Sequence, residues 1–424
     1  MKKLLFSLLY LLAFVGIFSS CDNSDPIEPQ PWPDSNHTLL IYMVGDNNLS
    51  GDLRGNIRDA MNGLKGSDAP LNLVIYEDTK ASGYKGTPVL FRLRRNRQNK
   101  EKVDTIMIHQ FEEDHNSLDP AIMQSIIKEA FEACPAEVKG ISFGSHALGW
   151  APSSVYSPTF MQAPERTTDG KRETRAKQWF GLEENNKYME IWDLRKALEG
   201  GPHLDYLLFD ACHMAQVEVA YELRKTADYL LGCPTETWAE GFPYAELVKT
   251  LSSLTTKSAL AADISLITDV VTTQPIYQRK GGTFTIVDLN QMTPVHQAYK
   301  NLLAMSDERL TLLKDHIYTY IDDIQQFGRV YMGASYLFYD MQSFADFLVE
   351  YKQEDSAEYQ QLMDALKKAV ISEYHTDVIE YSPFSMYVKT CCGLGVGIPE
   401  VIGSISIYSK TYLSAYNELQ WAKD

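Results

Sequence analysis

The sequence predicts an α/β fold: a largely parallel sheet flanked by helices, with a mainly helical C-terminal part. Three observations point there. From Thr38, short apolar runs alternate with helix-length amphipathic ones, the pattern of βα units. Beyond residue 244 that alternation gives way to long helical stretches. At 424 residues, 45% hydrophobic and 22% charged, the composition is that of a folded protein and excludes collagen-like, coiled-coil and wholly disordered chains.

The first twenty residues lie outside that fold. Lys2 and Lys3 precede an apolar run from Leu4 to Phe18, then Ser19 and Ser20 lead into Cys21. A basic start, a short apolar stretch and small residues before a cut make a secretory signal, too short for a comfortable membrane span. The cysteine at the cut resembles a bacterial lipoprotein signal, in which the Cys21 thiol is acylated. Export and a lipid anchor in the bacterial envelope, at the outer membrane or cell surface, are expected. Residues 21–37 carry Pro26, Pro29, Pro31 and Pro33 and read as an extended tether.

Strands are expected at residues 39–44, 71–76, 89–93, 105–108, 140–144, 206–210, 229–232 and 282–288. Helices are expected at 51–65, 119–133, 190–199 and 214–227, the second opened by Asp119-Pro120 as cap and first helical residue. The strands at 89–93 and 105–108 read as a hairpin. Later helices are expected at 244–254, 258–275, 290–325 and 341–371. The glycines 393, 395 and 397 and the run 405–408 read as strands and turns. The expected organisation is a sheet domain over 38–245, with 246–424 an α-rich region completing or extending it.

Charge narrows the partners. There are 39 Lys and Arg against 56 Asp and Glu, a net −17, and no basic stripe, so nucleic acid is not expected. Removing residues 1–20 takes Lys2 and Lys3 away, leaving 37 basic groups against 56 acidic ones, or −19.

Two strand ends carry the chemistry. Gly140-Ile-Ser-Phe-Gly-Ser-His146 ends in a histidine, and Leu204-Asp-Tyr-Leu-Leu-Phe-Asp210-Ala211-Cys212 ends in a cysteine. In an open parallel sheet, ligands bind in the crevice at the carboxyl ends of the strands. A thiolate is a strong nucleophile, favoured by a neighbouring histidine and by a helix amino terminus, which the expected helix from 214 would supply. Taken singly, each residue has a plain alternative: inert packing for Cys212, a satisfied structural role for His146.

The segments YMVGDNNLS (42–50), SHALGW (145–150), FDACHMAQVEVAYEL (209–223), TETWAEGFPY (235–244) and GGTFTIVDL (281–289) together resemble the clostripain-like cysteine peptidases. That family belongs to the caspase, legumain and gingipain clan. The resemblance implies a caspase-like fold, His146 and Cys212 as the catalytic pair, and backbone N–H groups of Ala147 and Cys212 as the oxyanion hole. It further implies a pocket for a substrate Arg or Lys at Asp210; Trp238, Phe242 and Tyr244 read either as lining that pocket or as aromatic core packing. The alternative for Asp210 is a helix cap. Ala147 stands where the family commonly has glycine, and His213 after the cysteine is unusual. The expected activity is endopeptidase cleavage after Arg or Lys, by a monomer acting on peptides and proteins. The rival, which Ala147 favours, is a non-catalytic surface binding lipoprotein with a peptidase-like fold.

The stretch 165–177, ERTTDGKRETRAK, is an exposed basic loop offering Arg166, Lys171, Arg172, Arg175 and Lys177 for cleavage. Self-processing there is expected by the resemblance. No HExxH, CxxC, GxSxG or phosphate-binding loop occurs, so no metal site and no cofactor are expected, calcium being the one ion the resemblance allows. Cys391 and Cys392 read either as a strained vicinal disulfide or as two packed thiols.

Overall fold

A computed structural model of the chain describes residues 35–65, 71–80, 82–83, 86–96, 98–152, 187–327, 329–330, 335–349, 356–381, 384–405 and 409–424. Among the described residues the sheet has nine strands. Its strands are β1 (His37–Gly45), β2 (Asn72–Thr79), β3 (Val89–Arg95), β4 (Val103–Gln110), β5 (Val138–Gly144), β6 (Leu204–Asp210), β7 (Ala227–Gly232), β8 (Thr283–Asp288) and β9 (Val370–His375). They lie in the order β9-β8-β7-β6-β5-β1-β2-β3-β4. The stretch β7-β6-β5-β1-β2 is parallel, and the flanks β8-β9 and β3-β4 are antiparallel.

Three central strands are buried along their whole length, as a parallel sheet covered on both faces favours: every residue of β1, β2 and β6 is buried. At the far edge β4 is half-exposed, and its Met107 points to solvent. The flanking helices include α1 (Ser50–Leu64), α2 (Pro120–Ala133), α3 (Ile191–Glu199), α4 (Val217–Leu223) and α5 (Tyr244–Ser253), with α1 packed on α5 and α2 on α3. The expected cap of α2 forms, the Asp119 carboxylate accepting from the N–H groups of Ala121 and Ile122.

Strands β8 and β9 come from beyond residue 245 and continue the sheet of β7, and residues 34–424 form one compact unit. Several local expectations shift. The helix expected over 214–227 spans only Val217–Leu223. The one expected over 341–371 breaks into Met341–Val349 and Ala357–Ala369, and its last two residues open β9 instead. Val370 and Ile371 are β-branched, and the pairing of Val370 and of Ser372–His375 with β8, with an irregularity at Ile371, overrides the helical period that precedes them. Residue 405, where the expected run 405–408 begins, ends a helix, Pro399–Ile405, and residues 406–408 lie outside the described residues. Cys391 and Cys392 are free thiols. No helix among the described residues is long and apolar enough to cross a membrane.

Candidate active site

The strand order places the crevice. From β1 the chain moves one way to β2 and later returns to add β5, β6 and β7 on the other side, so the order reverses between β1 and β5. Loops leaving two such strands diverge to opposite faces and open a cleft beyond their carboxyl ends. His146 follows β5, and Asn48 follows β1. In the β5–β6 ladder Gly144 pairs with Asp210, so His146 and Cys212 each stand two residues past a matched pair on neighbouring strands.

His146 is buried, and its Nε2 lies 2.8 Å from Oδ1 of Asn48. An amide oxygen only accepts, so Nε2 carries the proton and Nδ1 is left with its lone pair as the basic nitrogen. The preceding residue is fixed too, the Ser145 hydroxyl donating to the Val44 carbonyl at 2.8 Å.

Cys212 is fully buried. The Thr237 N–H donates to its Sγ at 3.3 Å, and the thiol faces the carbonyl of the same residue at 3.8 Å. An N–H aimed at sulfur favours the thiolate. This contact, rather than a helix amino terminus, is what the fold supplies, because α4 starts only at Val217. Between them the chain turns at Cys212 and His213 and is tied to the segment after β7: His213 N–H donates to Thr235 O at 2.9 Å and Ala215 N–H to Cys233 O at 3.1 Å. His213 has φ +57°, the left-handed region that a non-glycine residue occupies only under constraint. Its ring is buried against Phe338, with Nδ1 3.1 Å from the Pro234 carbonyl, and burial pushes its pKa down to about 4. It is a neutral, packed side chain at neutral pH.

Asp210 is fully buried at the end of β6. Its Oδ2 accepts from Asn56 Nδ2, the Phe242 N–H and the Tyr244 hydroxyl, each at 3.3 Å. No contact of this set is a helix cap, and α4 has no side-chain cap. Gly241 makes the arrangement possible. At φ +73°, any Cβ there would stand 2.5 Å from Asp210 Oδ2 and 2.2 Å from Asn56 Nδ2. The 241–245 segment is tied down further by Ala245 N–H donating to Asp59 Oδ2 at 3.0 Å.

Ala147 is buried and its backbone lies outside the left-handed region, where His213 is the only non-glycine among the described residues. No conformation reserved for glycine is therefore needed at 147. Trp238 is buried, its indole N–H donating to Gly281 O at 2.8 Å and its ring packed on Tyr381. The structure thus brings His146, Ala147, Cys212 and Asp210 to adjoining strand ends. Trp238 is one residue past Thr237, with its ring directed to the start of β8. Cys21 and the loop residues Arg166, Lys171, Arg172, Arg175 and Lys177 lie outside the described residues. Sequence reasoning missed Asn48, Asn56 and Thr237; the first and last sit inside quoted segments, but nothing in their spacing marks them as contacts.

Residues 41–424 match the model of the clostripain family of C11 peptidases. Among solved structures, a secreted C11 cysteine protease from Bacteroides thetaiotaomicron, in complex with an irreversible peptide inhibitor, is similar. Its sequence identity is 25% and its TM-score 0.66, over 91% of this chain and 99% of that one. An inactive zymogen C11 protease from Parabacteroides distasonis shares the fold at 24% identity and TM-score 0.68, over 92% and 97% of the two chains. No curated protein matches.

Proposed function

Since this chain belongs to the clostripain family of cysteine peptidases, we propose that it is an exported, lipid-anchored endopeptidase that cleaves after Arg or Lys. Cys212 is the nucleophile and His146 the general base. Nδ1 of His146 takes the thiol proton, and Sγ adds to the scissile carbonyl carbon. The oxyanion is held by backbone N–H groups of Ala147 and Cys212. His146 returns the proton to the leaving amine as the C–N bond breaks, leaving a thioester. Water then gives a proton to Nδ1, adds to the thioester and releases the acid, and the sulfur leaves as the restored thiol. The observation that carries this reading is the level pairing of Gly144 with Asp210, with the His146 ring oriented by Asn48.

The basic preference rests on Asp210, a buried carboxylate two residues before the nucleophile, suited to paired hydrogen bonds with a guanidinium or a point contact with an ammonium. Burial of Cys212, His146 and Asp210 in the intact chain supports self-processing: a rearrangement must precede substrate entry, and cleavage in the loop 165–177 is the proposed trigger. Export and the anchor rest on residues 1–21, and export also on the secreted Bacteroides relative. Both reacting side chains come from one chain, so a monomer suffices.

The cycle uses no cofactor. Among the described residues, the one grouping of three candidate metal ligands includes a thiol and an imidazole, a donor set unsuited to calcium, and no step is assigned to that ion. The test is a panel of fluorogenic peptides ending in Arg, Lys or neutral residues, run with processed protein and with Cys212→Ala. Release confined to basic peptides and lost in the variant is expected, together with loop fragments in the wild type alone. No thiol-dependent release would overturn the reading.

A further inference from the structure

Away from the nucleophile, the edge of the sheet gathers three unlike ligating side chains. Glu373 and His375 are two residues apart on β9 and share one face of that strand, with His375 Nδ1 2.7 Å from Glu373 Oε1. Cys391 returns to them from beyond the hairpin formed by Val378–Tyr381 and Phe384–Tyr387. The ligand atoms of Glu373, His375 and Cys391 all lie within 4.8 Å of one another, and all three residues are partly exposed.

The surrounding backbone holds the cysteine there. Gly393 has φ +89°, and a Cβ on it would sit 2.6 Å from Thr285 Oγ1 and 3.2 Å from Glu373 Cγ, so the loop is pressed directly onto β8 and β9. The Cys392 N–H donates to Asp340 Oδ2 at 2.7 Å, anchoring the peptide next to the thiol. Beyond β9, the Thr376 hydroxyl accepts from Gly282 N–H at 3.0 Å, which secures the strand end that carries His375.

We infer that Glu373, His375 and Cys391 form a binding site for a divalent transition metal of the zinc type, with water as the fourth ligand. One sulfur, one imidazole nitrogen and one carboxylate oxygen suit zinc, whereas calcium and magnesium take oxygen ligands. Zinc–ligand bonds of about 2.0–2.3 Å put tetrahedral ligand atoms roughly 3.3–3.8 Å apart, so side-chain adjustments of about 1 Å close the site. On binding, the Cys391 thiol loses its proton to water, and the metal takes the place of the Glu373–His375 hydrogen bond. The sequence hid this site, because its ligands follow no metal-binding spacing and converge only through β9 and the returning loop.

The site adjoins the catalytic loop through one short segment. From Cys391 the chain runs to Gly395, whose N–H donates to Ala215 O at 3.0 Å, three residues past Cys212. A bound metal would pin the start of the segment that supports the nucleophile loop.

The test uses the full mature chain carrying Cys212→Ala, so that the catalytic thiol neither binds metal nor cuts. After stripping with EDTA, zinc is titrated against a chromophoric chelator, and cobalt is added in parallel to look for a sulfur-to-metal charge-transfer band. One zinc per chain and a cobalt–thiolate band are expected. Cys391→Ser should abolish the band, and both Cys391→Ser and His375→Ala should weaken zinc binding by about tenfold or more. Zinc should also slow alkylation of Cys391 in the unsubstituted site, which reads the same contact if either variant fails to fold. Sub-stoichiometric zinc, binding unchanged in Cys391→Ser, unprotected Cys391, or a Cys391–Cys392 disulfide in the exported protein would each overturn the inference.

Discussion

Asn48 and His146 meet across 98 positions of sequence, the imidazole Nε2 2.8 Å from the amide Oδ1. The contact joins the loops after β1 and β5, the two strands between which the strand order reverses. It selects the tautomer with the proton on Nε2, so under the proposed mechanism Asn48 acts through His146 as a positioning residue. Asn48→Ala should lower kcat by about tenfold or more while leaving KM nearly unchanged. Asn48→Asp should restore much of the rate and move the acidic limb of the kcat/KM profile to higher pH, because a carboxylate favours the imidazolium. Unaltered pH profiles in both variants would remove the positioning role.

Asp210 accepts three donors on one oxygen, and an asparagine can present its own carbonyl oxygen to the same donors. Asp210→Asn should therefore fold, with a melting temperature within a few degrees of wild type. It should lose about 100-fold or more in kcat/KM on Arg and Lys peptides, the scale of removing a buried charge partner, with little change on neutral ones. A retained basic preference would return Asp210 to a structural role, holding the 241–245 segment.

Two buried histidines make folding acid-sensitive. Burial lowers the pKa of both His37 and His213 from 6.5 to about 4. Each ring binds its proton in the unfolded chain before it does so in the folded one, so stability is full above pH 6.5 and falls as pH drops toward 4. The loss comes to about 2 kcal/mol per histidine by pH 5. His37 joins Leu251 O and Tyr206 OH across the sheet, both at 2.9 Å. Melting curves from pH 7.5 to 4.5 should show the decline, and His37→Gln should shed part of it. A flat profile over that range would contradict the burial argument.

Glu218 works in the opposite direction. Fully buried on α4, it accepts from the Gly397 N–H at 2.7 Å, and desolvation raises its pKa to about 8. The folded chain then keeps a proton that the unfolded chain releases above pH 4.5, so this carboxyl removes stability as pH rises toward 8, by up to about 1.4 kcal/mol per unit. Glu218→Gln keeps the acceptor and cannot ionise. Its melting temperature should fall less than that of wild type between pH 5 and 8; parallel curves would refute the assignment.

The histidine and cysteine were legible because each ends an apolar run, and the run itself encodes a buried strand. The proposed oxyanion role of Ala147 was legible only in part: residue type suggested a backbone that only glycine adopts, and the geometry removes that objection, since φ there is not left-handed. The helix expected at 214 was too long. Its apolar and polar residues suit a helix, yet the amide groups of 213 and 215 are taken by the carbonyls of Thr235 and Cys233, which keeps the chain out of a helix up to Gln216. Similarly Val370 joins β8, pairing with Val287, because an unfilled sheet edge offers backbone partners that a helix end does not.

By itself, the sequence determined where strands and helices arise and which strand ends carry a thiol and an imidazole, since hydrophobic period and capping residues act within a few positions of the chain. The tertiary structure alone decided which ends are neighbours, and so which nitrogen of His146 meets Asn48, which amide faces Cys212, what surrounds Asp210, and that Glu373, His375 and Cys391 converge. Those contacts depend on strand order and register. Both are set by packing the whole sheet between its helices, and no local run of residues specifies them.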